Sequence, residues 1–276
     1  MSLVIQTNLA SLAAQKNVTQ TQNLMAATFN RLSSGYRINS AKDDAAGLAI
    51  SESMKMQIRS YTVCERNTND AVSMAQTAEG ALGSLSDVLG RMRELATQGA
   101  NGALGSTDRN YIQTEFKSLQ SEMKRIMTST KFNGTQLIPA TSTAISFQVG
   151  INNTASDRIS LTFGGISLTT LLSTTTTCSG LATNSQKALD VIDAGLTSLS
   201  TSRAKFGAAM NRLDTTVANI QTMRLNVSAA NSRIRDVDVA EESSMMSRQQ
   251  VMMQAGTSIL AQANQSPQSL LGLLRG

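Results

Sequence analysis

The sequence predicts a mainly α protein: a long, coiled-coil-like helical bundle with one small β-hairpin. Three observations carry this. Apolar residues recur at alternating spacings of three and four over very long stretches, the pattern of a helix seam. Aromatic residues are only 3% of the chain and Trp is absent, so Leu, Ile, Val, Met and Ala must supply the core. In one short region the period falls from about 3.5 to 2, which marks paired strands.

Residues 1–44 carry Leu9, Leu12, Leu24, Met25, Phe29 and Leu32 at helical spacing. A second seam runs through Ala75, Ala78, Leu82, Leu85, Leu89, Met92 and Ala96. Gly99, Gly102 and Gly105 break the chain after it, and Ser106 or Thr107 is the expected N-cap of the next helix. That third seam is Ile112, Phe116, Leu119, Met123 and Ile126. Asn133-Gly134 and Pro139 mark turns. Ile145, Phe147 and Val149 then alternate with polar residues, as do Ile159, Leu161 and Phe163, so a hairpin is expected within about 140–172. Residues 173–184, rich in Thr and Ser, read as a flexible polar connector.

The longest seam follows: Leu189, Ile192, Leu196, Leu199, Phe206, Met210, Leu213, Val217, Ile220, Val227 and Ile234, with Arg203, Arg224 and Asn231 in the skipped slots. Polar residues at such slots cost stability but set register. The three central helices can bury one another, at about 1.5–3 kcal/mol per large apolar side chain. Residues 236–276 add Val251, Met252, Ala255, Ile259, Leu260 and Ala263, then Leu270, Leu271, Leu273 and Leu274. The two terminal stripes have no evident partner in the central bundle. A lone amphipathic helix is marginal in water, so these segments are expected to order by pairing with each other and with other copies. An ordinary intramolecular bundle is the alternative.

Composition closes several functional routes. With no His, His-based triads, acid–base catalysis and metal ligation are removed. Cys64 and Cys178 are far apart and form no CxxC pair, so they read as isolated thiols and no cofactor is expected. The 24 basic and 19 acidic residues are interspersed, without a basic block or interleaved aromatics, which argues against nucleic acid. The start lacks the basic region and apolar run of a secretory signal, and no stretch is apolar enough for membrane insertion. The Asp43-Asp44 pair has no His, Cys or third carboxylate beside it, so helix capping or a subunit contact, to Arg31 or Arg37, is expected rather than catalysis or a cation site.

The termini resemble a known family. Residues 5–15 (IQTNLASLAAQ) and 31–50 (RLSSGYRINSAKDDAAGLAI) resemble the start of bacterial flagellin; residues 246–251 (MSRQQV) and 254–265 (QAGTSILAQANQ) resemble its end. The resemblance implies an inner, channel-lining domain from paired segments 1–44 and 236–276. It implies a rod, 45–235, of three long helices and a hairpin. Only the connector stands where many members insert outer domains, so this looks like a minimal form. The implied function is structural: export unfolded through the flagellar type III apparatus without a cleaved leader, then polymerisation into an extracellular filament for motility. Implied partners are other copies, the cap, the hook-junction proteins and an export chaperone. Leu9, Leu12, Leu24, Met25, Phe29, Leu32, Val251, Met252, Ile259, Leu260, Leu270 and Leu271 are the implied polymerisation interface. A hook–filament junction protein, or a soluble coiled-coil module, is the alternative.

Residues 89–98 (LGRMRELATQ) further resemble the rod-helix segment recognised by animal Toll-like receptor 5. The matching residues are Arg91, Glu94, Leu95 and Gln98, with Glu115 on the facing helix, and Arg91 and Leu95 are expected to point outward. Gly90 stands where many flagellins have Gln, and Cys64 where a small Ala or Ser is usual.

Overall fold

The computed structural model describes residues 7–166, 169–172 and 176–273, with side chains from 7–166, 171–172 and 176–265. The predicted fold class holds: helices dominate, and strands are few and short. By contacts the chain divides into two units, Met1–Ile58 with Asn226–Gly276, and Arg59–Leu225. These boundaries fall inside two continuous helices rather than at the expected divisions near 44 and 236.

In the first unit, α1 spans Leu9–Ser34. Asn8 caps it, its side-chain oxygen accepting from Ser11 N–H at 3.0 Å. Gly35 ends it in the left-handed conformation (φ 74°), which an L side chain adopts only at a cost, and its N–H bonds the Arg31 carbonyl. Helix α6, Val239–Leu273, begins where Asp238 accepts from Ala240 and Glu241 N–H. The segments between are stitched together: Arg37 N–H bonds the Arg235 carbonyl, Val237 N–H bonds the Gly35 carbonyl, and the Arg235 guanidinium lies 4.5 Å from the Tyr36 ring centroid. Arg235 also donates to Glu52 at 2.7 Å.

The second unit is built from parts of α2 (Ala45–Gly99) and α5 (Ala182–Arg235), with α3 (Ser106–Ser129). Gly105, not Ser106 or Thr107, occupies the N-cap of α3. Asp108 in the first turn accepts from the Gly105 N–H at 3.2 Å and supplies the capping group the glycine lacks. Leu82, Leu85, Leu89 and Met92, Phe116 and Met123, and Ile192, Leu199 and Leu213 form one buried cluster. On α5 the innermost line also contains Ala188, Gly195 and Ala209, while Leu189, Leu196 and Met210 are only partly buried. The predicted seam was therefore one residue off at alternate positions. The small residues are buried, and the neighbouring larger ones are only partly covered.

Charge pairs join α2 to α5 in antiparallel register: Arg93 to Asp193, Arg203 to Glu79, and Arg224 to Glu65, each at 2.7 Å. Arg203 and Arg224 are two of the polar slots expected to set register.

Strands β1 (Lys131–Phe132) and β2 (Thr135–Gln136) pair across Asn133 and Gly134, with φ of 47° and 82°. Two successive positive values make the tight hairpin turn that Asn-Gly favours. This second hairpin was read only as a turn. Strands β3 (Thr143–Gln148) and β4 (Arg158–Phe163) pair antiparallel, with Ile145 opposite Leu161 and Phe147 opposite Ile159. Ile159, Leu161 and Phe163 turn inward as the period-2 reading required, and the Phe163 and Phe206 rings lie 5.3 Å apart.

The described part of the connector, with the short helix α4 (Thr169–Leu172) before it, is packed rather than flexible and polar. Residues 173–175 lie outside the described residues. Thr176 and Cys178 are buried. Gln120 donates to the Leu171 carbonyl, Gln113 accepts from Cys178 N–H, and Arg109 donates to the carbonyls of Gly99, Asn101 and Gly180. Composition could not reveal this, because the tethering groups lie on α3. Arg109→Met strands those three carbonyls, each a buried or half-buried acceptor. We expect a loss of about 2–3 kcal/mol and a thermal midpoint lower by about 5 °C, measured by circular dichroism. An unchanged midpoint would show that the guanidinium does not hold the connector.

Candidate assembly and recognition surfaces

Helices α1 and α6 pair antiparallel. Asn8 donates to the Ala263 carbonyl at 2.8 Å, Ser11 bonds Asn264 at 2.7 Å, and Arg31 approaches Glu242 at 3.6 Å. The inward face of α1 is Ser11, Ala14, Val18, Thr21, Met25, Thr28 and Leu32, an unbroken alternation of three and four. That of α6 is Glu242, Met246, Gln249, Met253, Gly256, Leu260 and Ala263. The seam is mostly small or polar. Glu242 and Thr28 are almost fully buried there, and the Gln249 side-chain oxygen has no hydrogen-bond partner.

This divides the sequence-predicted interface residues into two sets. Met25, Leu32 and Leu260 are half-buried on the seam. Leu9, Leu12, Leu24, Phe29, Val251, Met252 and Ile259 are exposed, Leu9 at 71%, Phe29 at 63% and Val251 at 64%. Leu270 and Leu271 lie outside the residues whose side chains are described. The seam could have been found by counting small residues as well as large ones at heptad spacing; counting leucines alone finds the opposite face.

The Asp43-Asp44 pair serves the turn before α2. Asp43 accepts from the backbone and hydroxyl of Ser40 and from Asn39 N–H; these bonds hold its carboxyl below the usual range. Asp44 accepts from Gly47 N–H at 2.9 Å, in the first turn of α2. Both carboxylates are engaged by nearby backbone, as expected of capping groups. Among the described residues no group of three His, Cys, Asp or Glu could hold a metal. Cys64 and Cys178 are both free and buried; burial pushes the Cys64 thiol up, and the Cys178 thiol up to about 11.

On the rod surface, Arg91 Nε donates to Glu115 at 2.9 Å and a terminal nitrogen to Glu94 at 2.8 Å, all three exposed, with Gln98 exposed one turn on. The two carboxylates push the guanidinium pKa further up. Leu95 does not point outward: it is 2% exposed. Here α2 buries adjacent positions, Leu95 and Ala96, so its covered arc is wider than one seam. A groove of about 610 Å³ runs past Gly90, Arg93, Glu94, Thr97 and Gln98.

Comparison with known proteins shows the family. The bacterial flagellin N-terminal helical region matches residues 5–143, and the flagellin C-terminal helical region matches residues 189–274. The chain belongs to the bacterial flagellin family. It is 42% identical to a flagellin of Halalkalibacterium halodurans over 99% of this chain and 100% of that one. It is 36% identical to a flagellin of Bacillus subtilis over 97% of this chain and 98% of that one. A solved structure assigned to a flagellar hook-associated protein of Vibrio parahaemolyticus covers 70% of this chain and 100% of its own, with a TM-score of 0.58. At 16% identity that likeness shows the fold alone. The chain is therefore a structural subunit of the extracellular flagellar filament, not an enzyme, and the junction-protein alternative is not favoured. No helix among the described residues is long and apolar enough to cross a membrane.

A Cβ added at Gly256 would lie 2.8 Å from Val18 Cγ2, a stiff β-branched side chain. Gly256→Ala favours the isolated helix by about 1 kcal/mol. We nevertheless expect it to loosen the α1–α6 pair, read as faster proteolysis of both termini with the rod intact. Slower proteolysis would show that the seam tolerates a wider spacing.

Proposed function

We propose that the outward faces of α1 and α6 are the principal contacts between subunits in the filament. The observation that carries this is the two-sided character of both helices. Their seam mixes small and polar residues with half-buried Met25, Leu32, Met246, Met253 and Leu260, while Leu9, Leu12, Leu24, Phe29, Val251, Met252 and Ile259 remain exposed. Scattered exposed apolar residues are ordinary, but stripes on two paired helices are an interaction surface. A pair held by so thin a seam is marginal alone, so burial against other copies supplies what the single chain lacks. On this reading segments 1–44 and 236–276 line the filament channel and 45–235 form the rod. Late ordering of the ends also suits export unfolded through the type III apparatus with a chaperone, followed by assembly under a cap, beyond the hook-junction proteins.

The test is polymerisation of Leu24→Asp/Phe29→Asp. Each charge sits on the outward face, so the rod should keep its helical signal and thermal midpoint. Negatively stained grids of seeded protein should show monomers and no long filaments. Filaments in normal yield would refute the interface.

We further propose that the exposed group Arg91, Glu94, Gln98 and Glu115 is a recognition surface for Toll-like receptor 5 of an animal host. Leu95 would support it from beneath rather than touch the receptor. Arginine held in a fixed pose by two carboxylates is a common binding anchor. Arg91→Ala should lower the response of receptor-bearing reporter cells to monomer by about tenfold or more. Its polymerisation should be unchanged. An equal response would remove Arg91 from the site.

A further inference from the structure

We propose that the face of α6 carrying Met245, Met246, Met252 and Met253 is a site of thioether oxidation, and that sulfoxide formed there keeps the free subunit out of the polymer. The inference rests on the reading that α1 and α6 present the subunit interface.

The placement of these residues carries the argument. The two Met-Met pairs lie seven residues apart, so each member repeats on its own line along the helix. Met246, Met253 and Leu260 form the line that faces α1. Met245, Met252 and Ile259 form a neighbouring line, of which Met252 is 44% and Ile259 57% exposed. One helix therefore brings thioethers both to its seam with α1 and to its outward stripe. Met74, Met92, Met123 and Met127 are buried, while Met56 and Met223 are exposed but lie outside the paired terminal helices. Competing targets are few. The chain has no Trp and no His, and both thiols are buried. In the free subunit Met252 is exposed and Met245, Met246 and Met253 are half-buried, all on a helix that must pack.

The oxidant is a peroxide. The thioether sulfur attacks one peroxide oxygen, the O–O bond breaks and an S–O bond forms. The departing oxygen takes up a proton and leaves as water when the oxidant is hydrogen peroxide. Sulfur loses two electrons and the peroxide gains them. The product is a polar sulfoxide in place of a soft apolar group. On the line of Met246 and Met253 it enters a seam that already holds Glu242 and Gln249. On the line of Met245 and Met252 it interrupts the outward stripe. Buried in a filament, the same residues would be protected.

The experiment treats purified monomer with hydrogen peroxide, quenches with catalase and seeds polymerisation. Peptide mass spectrometry should find sulfoxide at the four α6 positions and not at Met74, Met92 or Met123. Pelletable filament should fall about tenfold, because apolar contacts are replaced by polar ones. The variant M245L/M246L/M252L/M253L keeps the exposed Met56 and Met223 as controls, and should polymerise equally with and without treatment. Methionine sulfoxide reductases should restore assembly of oxidised wild type, which tests the inference without any variant. Assembly that persists despite the four sulfoxides would overturn it. So would a variant that loses assembly on treatment, or reduction without recovery. If oxidised wild type polymerises while Leu24→Asp/Phe29→Asp does not, the oxidation site alone fails; if both polymerise, the interface beneath it fails too.

Discussion

Among the described residues α1 and α6 pack chiefly on each other, and each keeps a second, apolar face exposed. A helix can turn a single arc of its surface toward a neighbour, and α1 and α6 use that arc on each other. The residues chosen for it are the smaller ones: Ser11, Ala14, Thr21 and Thr28 against Gln249, Gly256 and Ala263. The larger ones, Leu9, Leu24, Phe29, Val251 and Ile259, are left in water. Such an arrangement is poor for a monomer. For a subunit whose partners arrive afterwards it is consistent, since apolar area kept out of the first contact is available for the next.

The unit of residues 59–225 follows the opposite rule. Here α2 buries an almost continuous line from Cys64 through Ala71, Ala75, Ala78, Leu82, Leu85, Leu89 and Met92 to Ala96. Alanines of α2 and small residues of α5 belong to the same buried cluster as Phe116, Phe163 and Phe206. Apolar seams of this regularity can slide by a heptad with little change in area buried. The charged pairs Arg203–Glu79 and Arg224–Glu65 oppose that: a slip would part each arginine from its carboxylate while keeping the leucines covered. Exposed pairs add little to stability, so register is their more plausible contribution.

How far this was legible from sequence depends on which side chain is asked. Period alone located the helices, the seams of residues 59–225 to within one residue and the β3–β4 hairpin, because those signals are repeated many times; on α1 and α6 it found the outward face instead of the seam. It misses details that one residue decides: Leu95 is buried beside Ala96. A seam pattern states where the centre of the covered arc lies, not how wide the arc becomes when a third element packs alongside. The same blindness hid Ala188, Gly195 and Ala209, which carry little hydrophobic weight yet are buried. The connector was misread for another reason. Thr and Ser suggest solvent, but Gln113, Gln120 and Arg109 satisfy its backbone from α3, and pairing of that kind leaves no local trace.

Polar groups inside the α1–α6 seam complete the picture. Buried Glu242 meets Arg31 at 3.6 Å, and Gln249 keeps an oxygen without a hydrogen bond. An apolar seam would bind more tightly, but it would also accept other registers and other apolar helices. Groups that are tolerable only in one pairing penalise the alternatives more than they weaken the correct one. In a chain that must present large exposed leucines without clumping, such selectivity is worth some stability. On the proposed interface, Leu9, Leu24, Phe29, Val251 and Ile259 would serve the polymer, while the polar groups set among Met25, Leu32, Met246, Met253 and Leu260 choose the register of the pair.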